Sequence, residues 1–97
     1  MTMRKNDQML GEIIAGLIKD PRYKSKLYQK KIEQGWQDIM GIWINRETRS
    51  IRLKDGTLTI RISSSSLREE LHFMREQIRE KMNALLGEEF IEDVVVK

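Results

Sequence analysis

Cysteine is absent from the 97 residues, which excludes disulfides and thiolate metal sites. Proline occurs once and no apolar run approaches the roughly 18 residues that cross a bilayer, so neither a collagen-like nor a membrane-spanning chain is expected. The opening MTMRKNDQML is charged and has no apolar centre or small-residue cleavage site, so it does not read as a secretory signal. A cytoplasmic protein is the expectation. Histidine is also single: His72 has no second imidazole or thiol to work with. The adjacent carboxylates Glu69-Glu70 and Glu88-Glu89 do not face one another on a helix, which makes them poor acid and base partners. Nor do the six glycines build a P-loop or dinucleotide motif. The reading is a protein that is not an enzyme, with no cofactor, no metal and no small-molecule substrate.

What is present is charge and period. Hydrophobic residues at 39% and charged ones at 34% suit one compact folded domain over 1–97, with residues 1–7 expected to be flexible. The charge is unevenly placed. Up to Ser63 there are 13 Lys or Arg against 7 Asp or Glu, and beyond it 5 against 8, so +6 and −3 make up the total of +3. Arg22, Lys24, Lys26, Lys30 and Lys31 form a block with no acid among them. Such a block suits a polyanion, because each cation near a phosphate releases a condensed counterion; it equally suits a solvated helix face.

The periodicities predict the elements. Leu10, Ile13, Ile14, Leu17 and Ile18 make one stripe on a first helix, capped by Asn6 or Asp7 and ended by Asp20-Pro21. Leu27, Ile32, Trp36, Ile39, Met40 and Trp43 mark a second, with a break near Gly41. Asp55-Gly56 reads as a two-residue type I′ turn that sets Leu53 opposite Leu58 and Ile51 opposite Ile60. Ile51, Leu53, Leu58, Ile60 and Ile62 then share a buried face, and Arg52, Lys54, Thr57, Thr59 and Arg61 the other. Ser66 with Glu69 fits a capping box for a third helix of about 20 residues that ends at Gly87. Ser63, Ser64 and Ser65 are left over, and a strand end rich in hydroxyls could hold a phosphate. Residues 90–97 alternate as a last strand. The order α-α-β-β-α-β is that of a two-layer α+β domain with helices packed on a small three-stranded sheet.

Two kinds of site residue follow. Arg22, Lys24, Lys26, Lys30, Lys31, Arg52, Lys54 and Arg61 are candidate phosphate contacts, with Tyr23 and Tyr28 interleaved as bases for stacking. Trp36 and Trp43, seven apart, are candidate core or partner-binding anchors.

The ordered set Leu10-Gly11-Glu12, Trp36-Gln-Asp-Ile-Met-Gly41, Thr48 to Leu53 followed by KDGTLTIRISSS, Glu70-Leu71, Asn83-Ala-Leu-Leu-Gly87 and a closing hydrophobic strand resembles the DciA family of bacterial replicative helicase loaders. The resemblance spans roughly residues 8 to 97. It implies a KH-like fold, DNA binding through the basic surface, single strands in preference to duplex, and partnership with the replicative DNA helicase. By motif, Trp36 and Gly41 correspond to the family's helix signature, Gly56 to its hairpin turn, Ser64 and Ser65 to its strand-to-helix serines, and Asn83 and Gly87 to its helix end. One departure concerns mechanism: KH modules clamp a nucleic-acid backbone with a G-x-x-G loop, and no two glycines here have that spacing. On the residues alone, a module that contacts only the helicase and an RNA-binding KH-like protein remain open alternatives.

Overall fold

The computed structural model describes residues 20–97. The helix expected over Leu10 to Ile18, its cap and the segment 1–7 lie outside the described residues. Asp20-Pro21, read as a helix end, begins one: the Asp20 carboxylate accepts a hydrogen bond from the Arg22 amide at 2.9 Å, and Pro21 needs no partner in the first turn. Helix α1 (Pro21–Met40) then runs unbroken through Gly35. There a Cβ would lie 3.0 Å from a Leu85 methyl, so the glycine lets another helix pass close.

Gly41 ends α1 at φ +96° and ψ 158°, a conformation essentially reserved for glycine, and starts the short α2 (Ile42–Glu47). Nothing crowds its Cα, so the cost of Gly41→Ala is conformational only. A loss of roughly 1–3 kcal/mol in urea denaturation is expected, with the unfolding slope unchanged.

Strands β1 (Thr48–Lys54) and β2 (Thr57–Ile62) form the hairpin in the expected register, Lys54 with Thr57, Leu53 with Leu58, Arg52 with Thr59 and Ile51 with Ile60. Asp55 and Gly56 both take positive φ, 50° and 78°, as a type I′ turn requires. A bulge between Thr48 and Ser50 closes the ladder. Strand β3 (Asp93–Val96) lies parallel to β2, giving the order β1-β2-β3.

A parallel pair needs a long crossover, and here it is helical. The expected single third helix is two: α3 (Ser65–Phe73) and α4 (Arg75–Leu86), parted at Met74 with φ −96° and ψ 9°. The bend lets α3 lean on β2 and β3 while α4 packs on β3 and α1. Arg75 donates to the carbonyl of His72 at 2.9 Å and so covers the frayed end of α3. The cap also differs from expectation. Ser64, not Ser66, accepts from the Leu67 amide, at 3.3 Å, so Ser66 lies inside the first turn and no Ser66–Glu69 box forms.

The core comprises Ile32 and Trp36 from α1, Leu53, Leu58, Ile60 and Ile62 from the hairpin, Leu67, Leu71, Ile78, Met82 and Leu86 from α3 and α4, then Ile91 and Val94. Helices α1, α3 and α4 therefore bury one stripe against one sheet face, an α+β two-layer fold, and among the described residues no helix packs on the opposite sheet face.

Candidate nucleic-acid interface

That outer face is where strand parity puts the polar residues. Alternation along the hairpin sends Arg52, Lys54 and Arg61 outward with Ser50, Thr57 and Thr59. They line a shallow concavity of about 680 Å³ together with Asp55 and Lys97. Lys97 is a residue that sequence reasoning missed. Its amide donates to the Ile60 carbonyl at 2.9 Å and its carbonyl accepts from Ile62 at 2.8 Å, which extends β3 alongside Arg61. The signal was available, since alternation had already opposed Lys97 to Val96. Four cations and one acid line this concavity. Within the hairpin the register sets Arg52 opposite Thr59 and Arg61 opposite Ser50, so no two cations face each other there, whereas Lys97 stands directly beside Arg61 and Asp93 beside Thr57 adds a second acid to the face.

A second groove, of about 670 Å³, continues from the hairpin edge to the start of α1. It is lined by Arg22, Ser25 and Lys26 on the helix and by Arg52 and Lys54 on β1, with Asp55, Glu89 and Glu92 among its acids. Helix and strand are tied by Gln29, whose side-chain oxygen accepts from the otherwise open Leu53 amide at 2.9 Å. This contact covers the outer edge of β1 and fixes the spacing of the two cationic rows. Arg22, Lys26 and Lys30 follow one another at four-residue intervals on α1, and Lys26 and Lys30 flank an exposed Tyr23.

The block of basic residues does not lie on one strip of the helix. Lys31 falls away from the Arg22–Lys26–Lys30 row by helical spacing. Lys24 is engaged: its ammonium lies 2.6 Å from Glu88 Oε1 and 5.5 Å from the ring centroids of both Tyr28 and Phe90. The Tyr28 hydroxyl donates to the same carboxylate and its ring packs at right angles to Phe90 with centroids 5.0 Å apart, so Tyr28 is held by neighbours within the fold.

The bond to Glu88 holds the phenol proton and, with partial burial, pushes Tyr28 up to about 12, while Lys24 and then Tyr28 hold Glu88 below the usual carboxylate range. The raised tyrosine stabilises the fold below its ordinary value of 10.0 and loses that contribution as pH climbs through about 12. The depressed Glu88 contributes above its ordinary 4.5 and loses it as pH falls through the lowered value. Ultraviolet titration of the phenolate is expected to show one late tyrosine, which Glu88→Ala returns toward about 10.

Trp36 corrects the partner-binding expectation. It is 0% exposed, its indole N–H donates to Thr48 Oγ1 at 2.9 Å, and that hydroxyl donates to the Ile44 carbonyl at 2.6 Å. Such a residue is a core anchor with no surface for another molecule. Trp43, beyond the Gly41 bend, is 66% exposed. Two of the three leftover serines have structural partners: Ser63 donates to the Glu47 carboxylate, whose charge would repel a phosphate, and Ser64 caps α3. Glu88 and Glu89 fasten Lys24 and Arg79 respectively. Among the described residues no cluster of His, Asp and Glu is placed to hold a metal, and no helix is long and apolar enough to cross a membrane.

Asn83 has a role its spacing did not disclose. The side chain is 2% exposed, donates to the Ile91 carbonyl at 3.0 Å and accepts from the Ile91 amide at 2.8 Å. It pairs with the backbone as a strand would, and so delivers β3 to the sheet.

No curated protein and no solved structure matches the chain. A family model does, that of Dna[CI] antecedent, DciA, over residues 9–96. Trp36 in the core, Gly41 and Gly56 at positive φ, the Ser64 cap, and Asn83 with Gly87 at the end of α4 are motif residues of that resemblance with a structural task. With the match covering nearly its whole length, the chain belongs to the DciA family, whose work is loading of the replicative helicase.

Proposed function

We propose that the protein binds DNA, single strands in preference to duplex, across the outer sheet face while it assists loading of the replicative helicase in the cytoplasm, and that it does so without catalysing a reaction. The observation that carries the reading is that face itself. Among the described residues no helix covers it, and Arg52, Lys54, Arg61 and Lys97 stand on it with Ser50, Thr57 and Thr59 between them. Cations hold phosphates electrostatically, and neighbouring hydroxyls add hydrogen bonds that fix the backbone without reading sequence. Arg22, Lys26 and Lys30 extend the path along α1, with Tyr23 as the exposed ring on which a base can stack. We read the fold as KH-like over the whole of 1–97, with this cationic face performing the task of the missing G-x-x-G clamp.

Fluorescence anisotropy of labelled single-stranded and duplex DNA, titrated at several salt concentrations, tests the reading. Four sheet-face cations predict a log–log salt slope of about −3 on single strands, becoming steeper if the α1 row takes part. A folded protein that binds neither DNA at low salt would leave helicase contact alone as the function.

A further inference from the structure

The most exposed large apolar side chains among the described residues lie on α2 and at the end of α3. Trp43 on α2 and Phe73 at the end of α3 are 66% and 79% exposed, and Ile42 beside Trp43 is 63% exposed. Large aromatic side chains so open to water are costly to leave uncovered, and clustered ones mark interaction sites. Trp43 and Phe73 form the two walls of a groove of about 390 Å³ whose remaining lining is Ser66, Leu67, Glu69 and Glu70. Neither glutamate has an ion-pair partner among the described residues, and no cation lines the groove.

We propose that this groove between α2 and α3 docks a basic amphipathic helix of a protein partner. Its apolar residues would sit between Trp43 and Phe73 while its Lys or Arg side chains meet Glu69 and Glu70. Aromatic walls with a charged rim are the arrangement by which grooves take such helices, the rings supplying affinity and the rim orientation. The charge separates this occupant from others. A nucleic-acid strand would bring phosphates against two unpaired carboxylates, although the rings could stack its bases. A second copy docking by twofold symmetry would set the same acidic surface against itself. The proposal stands apart from DNA binding, since Trp43, Glu69, Glu70 and Phe73 line neither cationic groove.

The probe is a labelled synthetic helix with leucines at i, i+3, i+4 and i+7 and lysines on its flanks, compared with a twin carrying glutamates in place of the lysines. Anisotropy with the full chain should show the lysine helix bound and the glutamate twin at least about tenfold weaker. The double variant W43A/F73A should weaken the lysine helix on the order of thirtyfold, since it removes both aromatic anchors. E69K/E70K should weaken it as well. All four side chains are exposed or at a rim, so the variants should fold, and unchanged DNA affinity in the same samples checks that they do. Equal binding of the twins, indifference to W43A/F73A, or no binding of either helix would overturn the proposal. So would competition by single-stranded DNA for the groove, or wild-type self-association that W43A abolishes in sedimentation. Absence of DNA binding by the wild-type chain would instead count against the proposed function and leave the groove untouched.

Discussion

Replacing Arg52 and Arg61 together with glutamate is expected to lower affinity for single-stranded DNA by at least about 100-fold at low salt. Each arginine is expected to contribute a charge-assisted contact of about 1.5–3 kcal/mol, so losing two removes roughly 3–6 kcal/mol before any new repulsion is counted. The salt slope should also flatten by about 1.4, the share of two phosphates on a single strand. Both residues are exposed on the outer face and sit across from Thr59 and Ser50, so neither substitution disturbs the core, and stability should stay within about 0.5 kcal/mol. Lys31→Glu is the matched control. It reverses a charge in the same basic block but away from the Arg22–Lys26–Lys30 row, and should change affinity less than about threefold. If the Lys31 variant fell as far as the sheet-face pair, total charge rather than this surface would govern binding.

Asn83→Ala is expected to cost about 3 kcal/mol in urea denaturation, the largest loss among the stability changes considered. The substitution leaves both the amide and the carbonyl of Ile91 without partners in a buried place, each worth about 1–3 kcal/mol. A domain of this size has only about 5–15 kcal/mol in total, so the variant should still fold at low temperature. Asn83→Asp separates the two bonds. The aspartate keeps the acceptor for the Ile91 amide but sets a carboxylate against the Ile91 carbonyl and near Glu89, which raises its pKa in the folded state. Its deficit should therefore be large at neutral pH, shrink as pH falls through the raised value and be smallest below about 4, where protonation has restored a donor. Because Asn83 delivers the segment that leads into β3, loss of its bonds should also reduce the contribution of Lys97 to the sheet face.

These two predictions rest on features that were unequally legible in the sequence. The hairpin register next to the turn was legible, because a period of two and an Asp-Gly turn leave one pairing that puts Ile51, Leu53, Leu58, Ile60 and Ile62 on one face, while the bulge between Thr48 and Ser50 was not. The outer cationic face followed from the same parity. The bend at Met74 was not legible: Leu67, Leu71, Met74, Ile78 and Met82 continue at helical spacing straight across it, and only packing on different neighbours distinguishes α3 from α4. Four consecutive serines made the cap position ambiguous, and Ser64 takes it because β2 ends at Ile62. Trp36 and Trp43 looked equivalent at a spacing of seven until the positive φ of Gly41 turned the chain between them, burying one and exposing the other. Lys24 and Tyr28 looked available because their partner, Glu88, lies some sixty residues away, and no local pattern reports such a pairing.

The central claim is that DNA lies on the outer sheet face, and amide chemical-shift mapping during titration with a single-stranded oligonucleotide tests it most directly. The account predicts shifts concentrated at Ser50 to Arg61 and Lys97, extending to Arg22, Lys26 and Lys30, with residues 69–73 and Trp43 unmoved. Shifts centred on Trp43, Glu70 and Phe73, with the hairpin silent, would contradict it.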